Sequence, residues 1–483
     1  MPPLLYETNK GDQLTYLSKQ DVEKRVQSGQ MLIIYNEKVY KLNKWIKYHP
    51  GGDLAIIHMI GKDATDEINV FHPEYVTKKK IHNFYIGEYN GTSEQESETT
   101  TTTTNTANTK IIDDNKTKLS LKEEQLISSS FKQLELKIKE LGLYQCNYWN
   151  YFLEGIRYLI LIISAWLLVI YGTQTIHYIL SAILLGFFWH QLAFTAHDSG
   201  HSGITHNLLI DNLIGIFLAD FCGGLSIAWW KRNHYVHHIV TNHPEHDPDI
   251  QHLPFFAVST KFLNNLYSTF YKRTLYFDSF AKIFISYQHY LYYPILCLGR
   301  FNLYFLSISF LINEENVAFR NLEKGGMVFF WCWYIYMLSH LPSIPMVICF
   351  IVLSHAVTMI LHVQITLSHF GMSTEELGTI ESFPRKMTRT TMDVDCPWWM
   401  DWFHGGLQYQ TIHHLFPRIP RHNLRRCQPL VQNFCNEVGL KYHLYGFIKG
   451  NGIVLGALKD VGNQIDLLRK VAKSHANRNL KEK

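Results

Sequence analysis

The chain has 483 residues, of which 47% are hydrophobic and 14% aromatic, with a formal net charge of +4. That length suits two or three units, one of them large, and so modest a charge argues against a nucleic-acid-binding surface. The eight cysteines are scattered without a Cys-x-x-Cys pair, which argues against a disulfide framework or a zinc ribbon and points to a reducing compartment. No basic stretch followed by an apolar one opens the chain, so no cleavable secretory signal is expected and membrane insertion would come from internal segments.

Residues 14–90 are polar and mixed in pattern, with a strand-like run at 31–35 and several short helical patches, and predict a small α+β domain. Within it lie Trp45-Ile-Lys-Tyr-His49-Pro50-Gly51-Gly52, then Gly61-Lys-Asp63-Ala64-Thr65, then Phe71-His72-Pro73. Pro50 and the paired glycines predict a tight turn that lets backbone approach a large planar group while aiming His49 at it. These residues resemble a cytochrome b5 domain, whose haem iron is held between two histidines. By that resemblance His49 and His72 are the axial ligands of haem b, with His58 left on a helix face and His82 outside the motif. Two axial imidazoles close the iron, so the group carries electrons and does not activate oxygen.

Residues 91–118, with six consecutive threonines at 99–104, offer almost no apolar side chain and predict a disordered tether. Residues 119–150 follow as an amphipathic connecting segment, with Leu126, Ile127, Phe131, Leu134, Ile138 and Leu141 at helical spacing. It would lie either on the membrane surface or against the following unit.

From 151 to 450 the chain predicts an all-α integral membrane domain. Apolar stretches at 155–171, 178–194, 327–341 and 342–363 predict four spans in two hairpins. Segments 208–228 and 284–312 are also apolar but contain Asp211, Asp220, Gln288 and Arg300, which predicts interfacial or re-entrant helices. Residues 451–483 form a C-terminal tail. Trp229-Trp230, and Trp398-Trp399 with Trp402, precede histidine clusters and mark a headgroup-level cap.

The clusters themselves are His197-Asp-Ser-Gly-His201, His234-Tyr-Val-His237-His238 and Gln410-Thr-Ile-His413-His414. Spacings of three and four put imidazoles on one helix face, and with four spans all three clusters fall on one side of the membrane. Seven histidines exceed the need of one four-coordinate zinc, so two metals are implied. An attached electron-carrying domain is of use only to a redox-active pair, which selects two non-haem irons that react with O2.

The three clusters, together with Trp229-Trp-Lys-Arg-Asn before the second, Asp247-Pro-Asp249 after it and Leu415-Phe-Pro417 after the third, resemble front-end desaturases fused to cytochrome b5. The likeness runs through nearly the whole chain outside the linker. Glutamine at position 410, where other membrane desaturases carry histidine, marks the front-end group. The resemblance implies iron binding by His197, His201, His234, His237, His238, His413 and His414. It also implies a ligand just after the last span, assigned to His369, and makes Gln410 a weak ligand or a hydrogen-bond partner of one. His355 and His362 share a helix face with His369 but read as structural. His190 and His404 read as neighbours of the clusters, and His243 and His246 as loop-orienting groups.

The runs 242–259 and 389–397 look most like sphingolipid Δ8 desaturases, which implies a double bond placed in the long-chain base of a ceramide. Δ5 or Δ6 desaturation of fatty acyl chains is the alternative, followed by hydroxylation of a lipid or electron carriage alone. No Gly-x-Gly-x-x-Gly fingerprint follows a strand, so electrons are expected from NADH through a separate cytochrome b5 reductase. The resemblance implies the endoplasmic reticulum membrane, with haem and irons on the cytosolic side.

Overall fold

The computed structural model describes residues 15–91 and 118–481. Nearly all of the expected linker lies outside the described residues. The N-terminal unit contains β1 (Tyr16–Leu17), α1 (Lys19–Gln27), β2 (Leu32–Tyr35), β3 (Lys38–Lys41), α2 (Asp53–Ile57), α3 (Thr65–Phe71) and β4 (Tyr85–Tyr89). Its strands form one sheet in the order β1-β4-β3-β2, with β1 parallel to β4 and the other pairs antiparallel. Leu32 and Val39 are buried on one face; Ile33, Tyr40, Leu54 and Ile68 pack on the other, which carries α2 and α3.

The second unit starts with α4 (Leu121–Glu140), whose Ser120 and Glu123 close a capping box. Its apolar stripe of Ile127, Phe131, Leu134 and Ile138 is buried against the unit that follows. Of the two placements the pattern allows, α4 therefore packs on protein. Phe131 stacks on Phe416 at 5.1 Å and meets Phe383 and Phe434 edge-on or tilted.

Two long helices follow as a hairpin, α5 (Tyr148–Tyr171) and α6 (Thr175–Gly200). Then come α7 (Leu208–Ile216), α8 (Ile227–Ile239), the β5–β6 hairpin (Leu266–Ser268 with Arg273–Leu275), α9 (Ser279–Ser286), α10 (Gln288–Leu296), α11 (Gly299–Asn313), α12 (Arg320–Ser339), α13 (Ile344–Val357) and α14 (Met359–Leu367). The C-terminal part contains α15 (Phe383–Thr390), β7 (Asp393–Asp395), α16 (Asp401–His404), α17 (Gln410–Leu415), α18 (Leu424–Val438), β8 (Leu444–Gly446) and α19 (Phe447–Lys481), with β7 and β8 paired in parallel.

Three helical stretches among the described residues are long and apolar enough to cross a membrane: Tyr148–Tyr171, Thr175–Gly200 and Ile344–Leu367. The number rises to five if each of two bent pairs is one span. One pair, Leu208–Cys222 with Ile227–Ile239, bends by 115°, and the other, Gln288–Leu296 with Gly299–Asn313, by 65°, so the segments expected to be re-entrant are the broken ones. The expected third span does not meet the same criterion. Its helix, α12, opens with Arg320, Glu323 and Lys324, and its apolar part is diluted by Trp331, Trp333, Tyr334 and Tyr336.

The N-terminal unit is seated on α8. Val236, Ile239 and Val240 complete the apolar cluster of Leu54, Ala55 and Ile68. Arg232 reaches Asp53 at 3.5 Å, and the Arg418 guanidinium donates to the His72 carbonyl at 2.5 Å. Glu67 is buried in this region, where desolvation lifts its carboxyl to about 7 although Lys386 pulls it down.

Removing the ring of Phe131 (Phe131→Ala) should cost about 3–5 kcal/mol, read as a lower thermal midpoint of the second unit. For Glu67 the ordinary value is 4.5, so the folded chain holds this proton more tightly than the unfolded one. The stabilisation is fully present below 4.5 and is lost as pH rises through about 7. Glu67→Gln should therefore raise the thermal midpoint clearly at pH 8 and less at pH 5; an equal effect at both would refute the assignment.

Candidate metal centre

Four helices deliver imidazoles to one buried place. The last turn of α6 and the residue after it supply His197 and His201, α8 supplies His234, His237 and His238, and α17 supplies His413 and His414. His369 stands two residues past the end of α14, just after its C-cap Ser368. In one group, His197, His201, His234 and His413 each offer a nitrogen within 4.8 Å of the others. His238 joins it, its Nε2 lying 3.0 Å from that of His234 and 3.1 Å from that of His413. In the second group, His237, His369 and His414 converge in the same way. The His238 and His414 rings stack at 4.1 Å, so the two groups are contiguous.

Six nitrogens here are buried without any partner: Nε2 of His197, both of His201, Nδ1 of His238, Nδ1 of His369 and Nε2 of His414. So many unmatched polar atoms in one place would each cost about 1–3 kcal/mol. Burial, followed by neighbouring imidazoles, holds His369, His413 and His414 well below the ordinary histidine range. Neutral imidazoles with open nitrogens are the ligand form for iron, so the donor set fits two metal ions. Gln410 lines a small cavity with His197, Asp198 and His413.

A carboxylate layer fixes the ring orientations. His237 Nδ1 donates to Asp247 at 2.9 Å, and Asp247 also accepts the Asn242 backbone N–H at 2.7 Å. Asp249 lies 3.9 Å from His234 and 3.7 Å from His237 and accepts from Asn233. Asp198, 3.7 Å from His197, is paired with buried Arg421, which also binds Glu154. Glu154 and Arg421 were not legible as site residues; Asp198 and Asp247 carry a signal, as acids within the histidine motifs.

The remaining histidines behave as side-chain neighbours. His190 and His404 both hydrogen-bond to Gln364, at 3.0 and 3.2 Å. His355 bonds the Ile351 carbonyl at 2.7 Å and stacks on Phe301, and His362 bonds the Leu296 carbonyl at 3.2 Å. His243 stacks on His246, which faces His58 of the N-terminal unit at 4.8 Å.

In that unit His49 and His72 face each other with ring centroids 5.9 Å apart. Each donates its Nδ1 proton to a backbone carbonyl, Gly52 at 2.8 Å and Ile68 at 3.1 Å, which leaves Nε2 for a metal. Burial lowers both, His72 to about 4, again the neutral ligand form. A Cβ at Gly51 would lie 3.0 Å from the His49 ring and 3.3 Å from Tyr235, so only glycine leaves this cradle open. The pair fits a haem iron. Phe71, next to His72, meets His238 edge-on at 5.7 Å and Tyr235 at 6.3 Å, joining the two sites through packed rings.

Residues 18–90 match the cytochrome b5-like heme/steroid binding domain and residues 173–446 the fatty acid desaturase family. The chain is 43% identical to the Delta 8-(E)-sphingolipid desaturase of Emericella nidulans, over 95% of this chain and 97% of that protein. It is 44% identical to the Delta 8-(E)-sphingolipid desaturase of Komagataella phaffii, with 94% of each covered. With the Delta(8)-fatty-acid desaturase 1 of Arabidopsis thaliana it shares 34% identity, over 95% and 96%. The chain belongs to the fatty acid desaturase family, in the form that carries a cytochrome b5 domain at its N-terminus. It is an oxidoreductase whose two units call for haem and for iron.

Asp247→Asn keeps the shape but weakens the acceptor for His237 Nδ1. It should lower bound non-haem iron, measured by elemental analysis, about 10- to 100-fold in affinity, while the haem absorbance stays unchanged.

Proposed function

We propose that this enzyme places a Δ8 double bond in the long-chain base of a sphingolipid. In this reading the substrate loses two hydrogens from adjacent carbons, and O2 takes them up with two electrons and two protons to leave two waters. The observation that carries it is the pair of contiguous imidazole groups beside a docked haem domain, in a chain whose relatives at 40–44% identity are named Delta 8-(E)-sphingolipid desaturases. Fatty acyl desaturation is the second reading, favoured by the printed name of the Arabidopsis relative.

His197, His201, His234, His237, His238, His369, His413 and His414 hold two irons, with Gln410 beside them, and His49 and His72 hold the haem. Iron bound by these imidazoles supplies the one-electron chemistry with O2 that an unactivated C–H bond demands. Asp247, Asp249 and Asp198 keep the rings aimed inward, and the aromatic contacts of Phe71 keep the two sites close. Electrons come from NADH through a separate cytochrome b5 reductase.

The units run 14–90 for the haem domain, 91–118 for the tether, 119–150 for the connecting helix, 151–450 for the desaturase domain and 451–483 for the C-terminal tail, most of which is the helix α19 whose Val454, Leu458, Val461 and Ile465 pack on that domain. Four spans in two hairpins, α12 among them, would put every site histidine on the cytosolic side of the endoplasmic reticulum membrane. Val328, Phe329 and Ile335 of α12 are exposed, which suits lipid contact. Trp398 and Trp399 are 74% and 58% exposed and suit the headgroup level.

Lipid analysis of yeast expressing this chain, beside a His237→Ala control, tests the proposal. New unsaturation in the long-chain base, lost in the control, is the expected result. New double bonds only in fatty acids would move the substrate to acyl lipids, and a hydroxylated product would overturn desaturation itself.

A further inference from the structure

The two imidazole groups are put together differently. Every histidine of the first group, His197, His201, His234, His238 and His413, stands on a helix or at a helix end. In the second, His237 and His414 are helical, but His369 lies on the turn past α14. A helical side chain takes its direction from the helix, whereas one on a turn must be aimed by its neighbours. We propose that the Thr241-Asn242 corner after α8 does this, with Asn242 as the positioning residue for His369 and Thr241 for His414, and that it sets how firmly the second group holds its metal ion. The proposal rests on the two-iron reading above and adds to it two residues that the reading does not use.

The rings of His237, His369 and His414 form a triangle with centroids 4.6, 4.9 and 5.0 Å apart. Asn242 reaches two of its corners. Its backbone N–H donates to Asp247 Oδ2 at 2.7 Å, the same oxygen that accepts the His237 Nδ1 proton at 2.9 Å. Its side-chain Nδ2 donates to the carbonyl of His369 itself at 2.9 Å and to that of Thr390 at 3.2 Å, with the Ser373 carbonyl at 3.4 Å. The His369 carbonyl also accepts the Met372 N–H at 3.0 Å. The peptide that carries the ring is thus held from two sides.

Thr241 reaches the third corner. Its hydroxyl donates to the His237 carbonyl at 2.7 Å, and the same Oγ1 lies 3.3 Å from His414 Nδ1. With the hydroxyl proton spent on the carbonyl, His414 Nδ1 donates to Oγ1. His414 Nε2, buried without a partner, is then the atom left for a metal.

The corner keeps this arrangement against two costs. Asn242 has φ 60°, in the left-handed region that few residues other than glycine adopt. It is 1% exposed, and its Oδ1 meets no donor. Backbone strain and an unmet buried oxygen both disfavour the fold locally. A residue that only closed a loop could relieve both by turning its side chain outward; this one is turned in, with its amide nitrogen on the His369 carbonyl.

The test uses the full-length protein in detergent with its haem in place. Non-haem iron is stripped with a chelator and replaced, without oxygen, by ferrous iron enriched in the Mössbauer isotope, so that spectra count the ions in the imidazole groups while the haem stays silent. The unaltered chain should take up two ions. Asn242→Gly accepts the same backbone and removes the amide; it should hold one ion as before and the other about 10- to 100-fold more weakly, with the spectrum of the first ion and the haem absorbance unchanged. Thr241→Val should weaken the same ion, even if Asn242→Gly does not fold, and Thr241→Ser, which restores the hydroxyl, should recover it. Two ions held as tightly in the folded variants as in the unaltered chain, or both ions lost together, would overturn the proposal. Fewer than two ions in the unaltered chain would overturn the two-iron reading and the proposal with it.

Discussion

Eight imidazoles brought into one buried volume are the constraint on which the rest of this molecule depends. Their nitrogens lie so close that protonation of one opposes protonation of the next, and six of them have no protein partner. Such a cluster is unfavourable in itself. It persists because the helices carrying it are fixed elsewhere, and because metal ions, once held, satisfy the open nitrogens. The aromatic stack of Phe131, Phe383, Phe416 and Phe434 braces α17, while Arg421 ties α5, α6 and the start of α18 into one ion-paired knot.

The same constraint explains why acidic residues surround the cluster. A carboxylate that accepts an Nδ1 proton leaves Nε2 as the ligand atom and stops the ring from turning. Asp247 does this directly for His237. Backbone carbonyls of Gly52 and Ile68 do the same for His49 and His72, so the rings of both histidine groups are oriented by one device.

Much of this was legible in the sequence where the pattern was local. His-x-x-x-His and His-x-x-His-His spell out one helix face, and the His-Pro-Gly-Gly turn announces its own geometry. His369 stands 132 residues from His237 in the chain, so only the resemblance pointed to it, yet its ring lies 4.6 Å from that of His237. Glu154 and Arg421 are farther apart still, and nothing in either neighbourhood signals that they pair. The amphipathic stripe of α4 was readable as a stripe, but not what it covers, since lipid and protein ask for the same side chains. For α12 the apolar run is visible in the sequence, but Arg320, Glu323 and Lys324 occupy the helix's opening turns and shorten it. The seating of the haem domain on α8 was invisible, because Val236, Ile239 and Val240 look like the ordinary buried side of a helix.

That seating has a consequence for the timing of catalysis. A haem stores a single electron, whereas forming one double bond with O2 takes two. A haem domain held by Arg232, Arg418 and an apolar patch must therefore be recharged within each turnover. Either the electron donor reaches the haem while the domain stays docked, or the domain leaves and returns between electrons. The strength of the seam then sets a ceiling on turnover: too tight and the second electron is late, too loose and neither arrives on time.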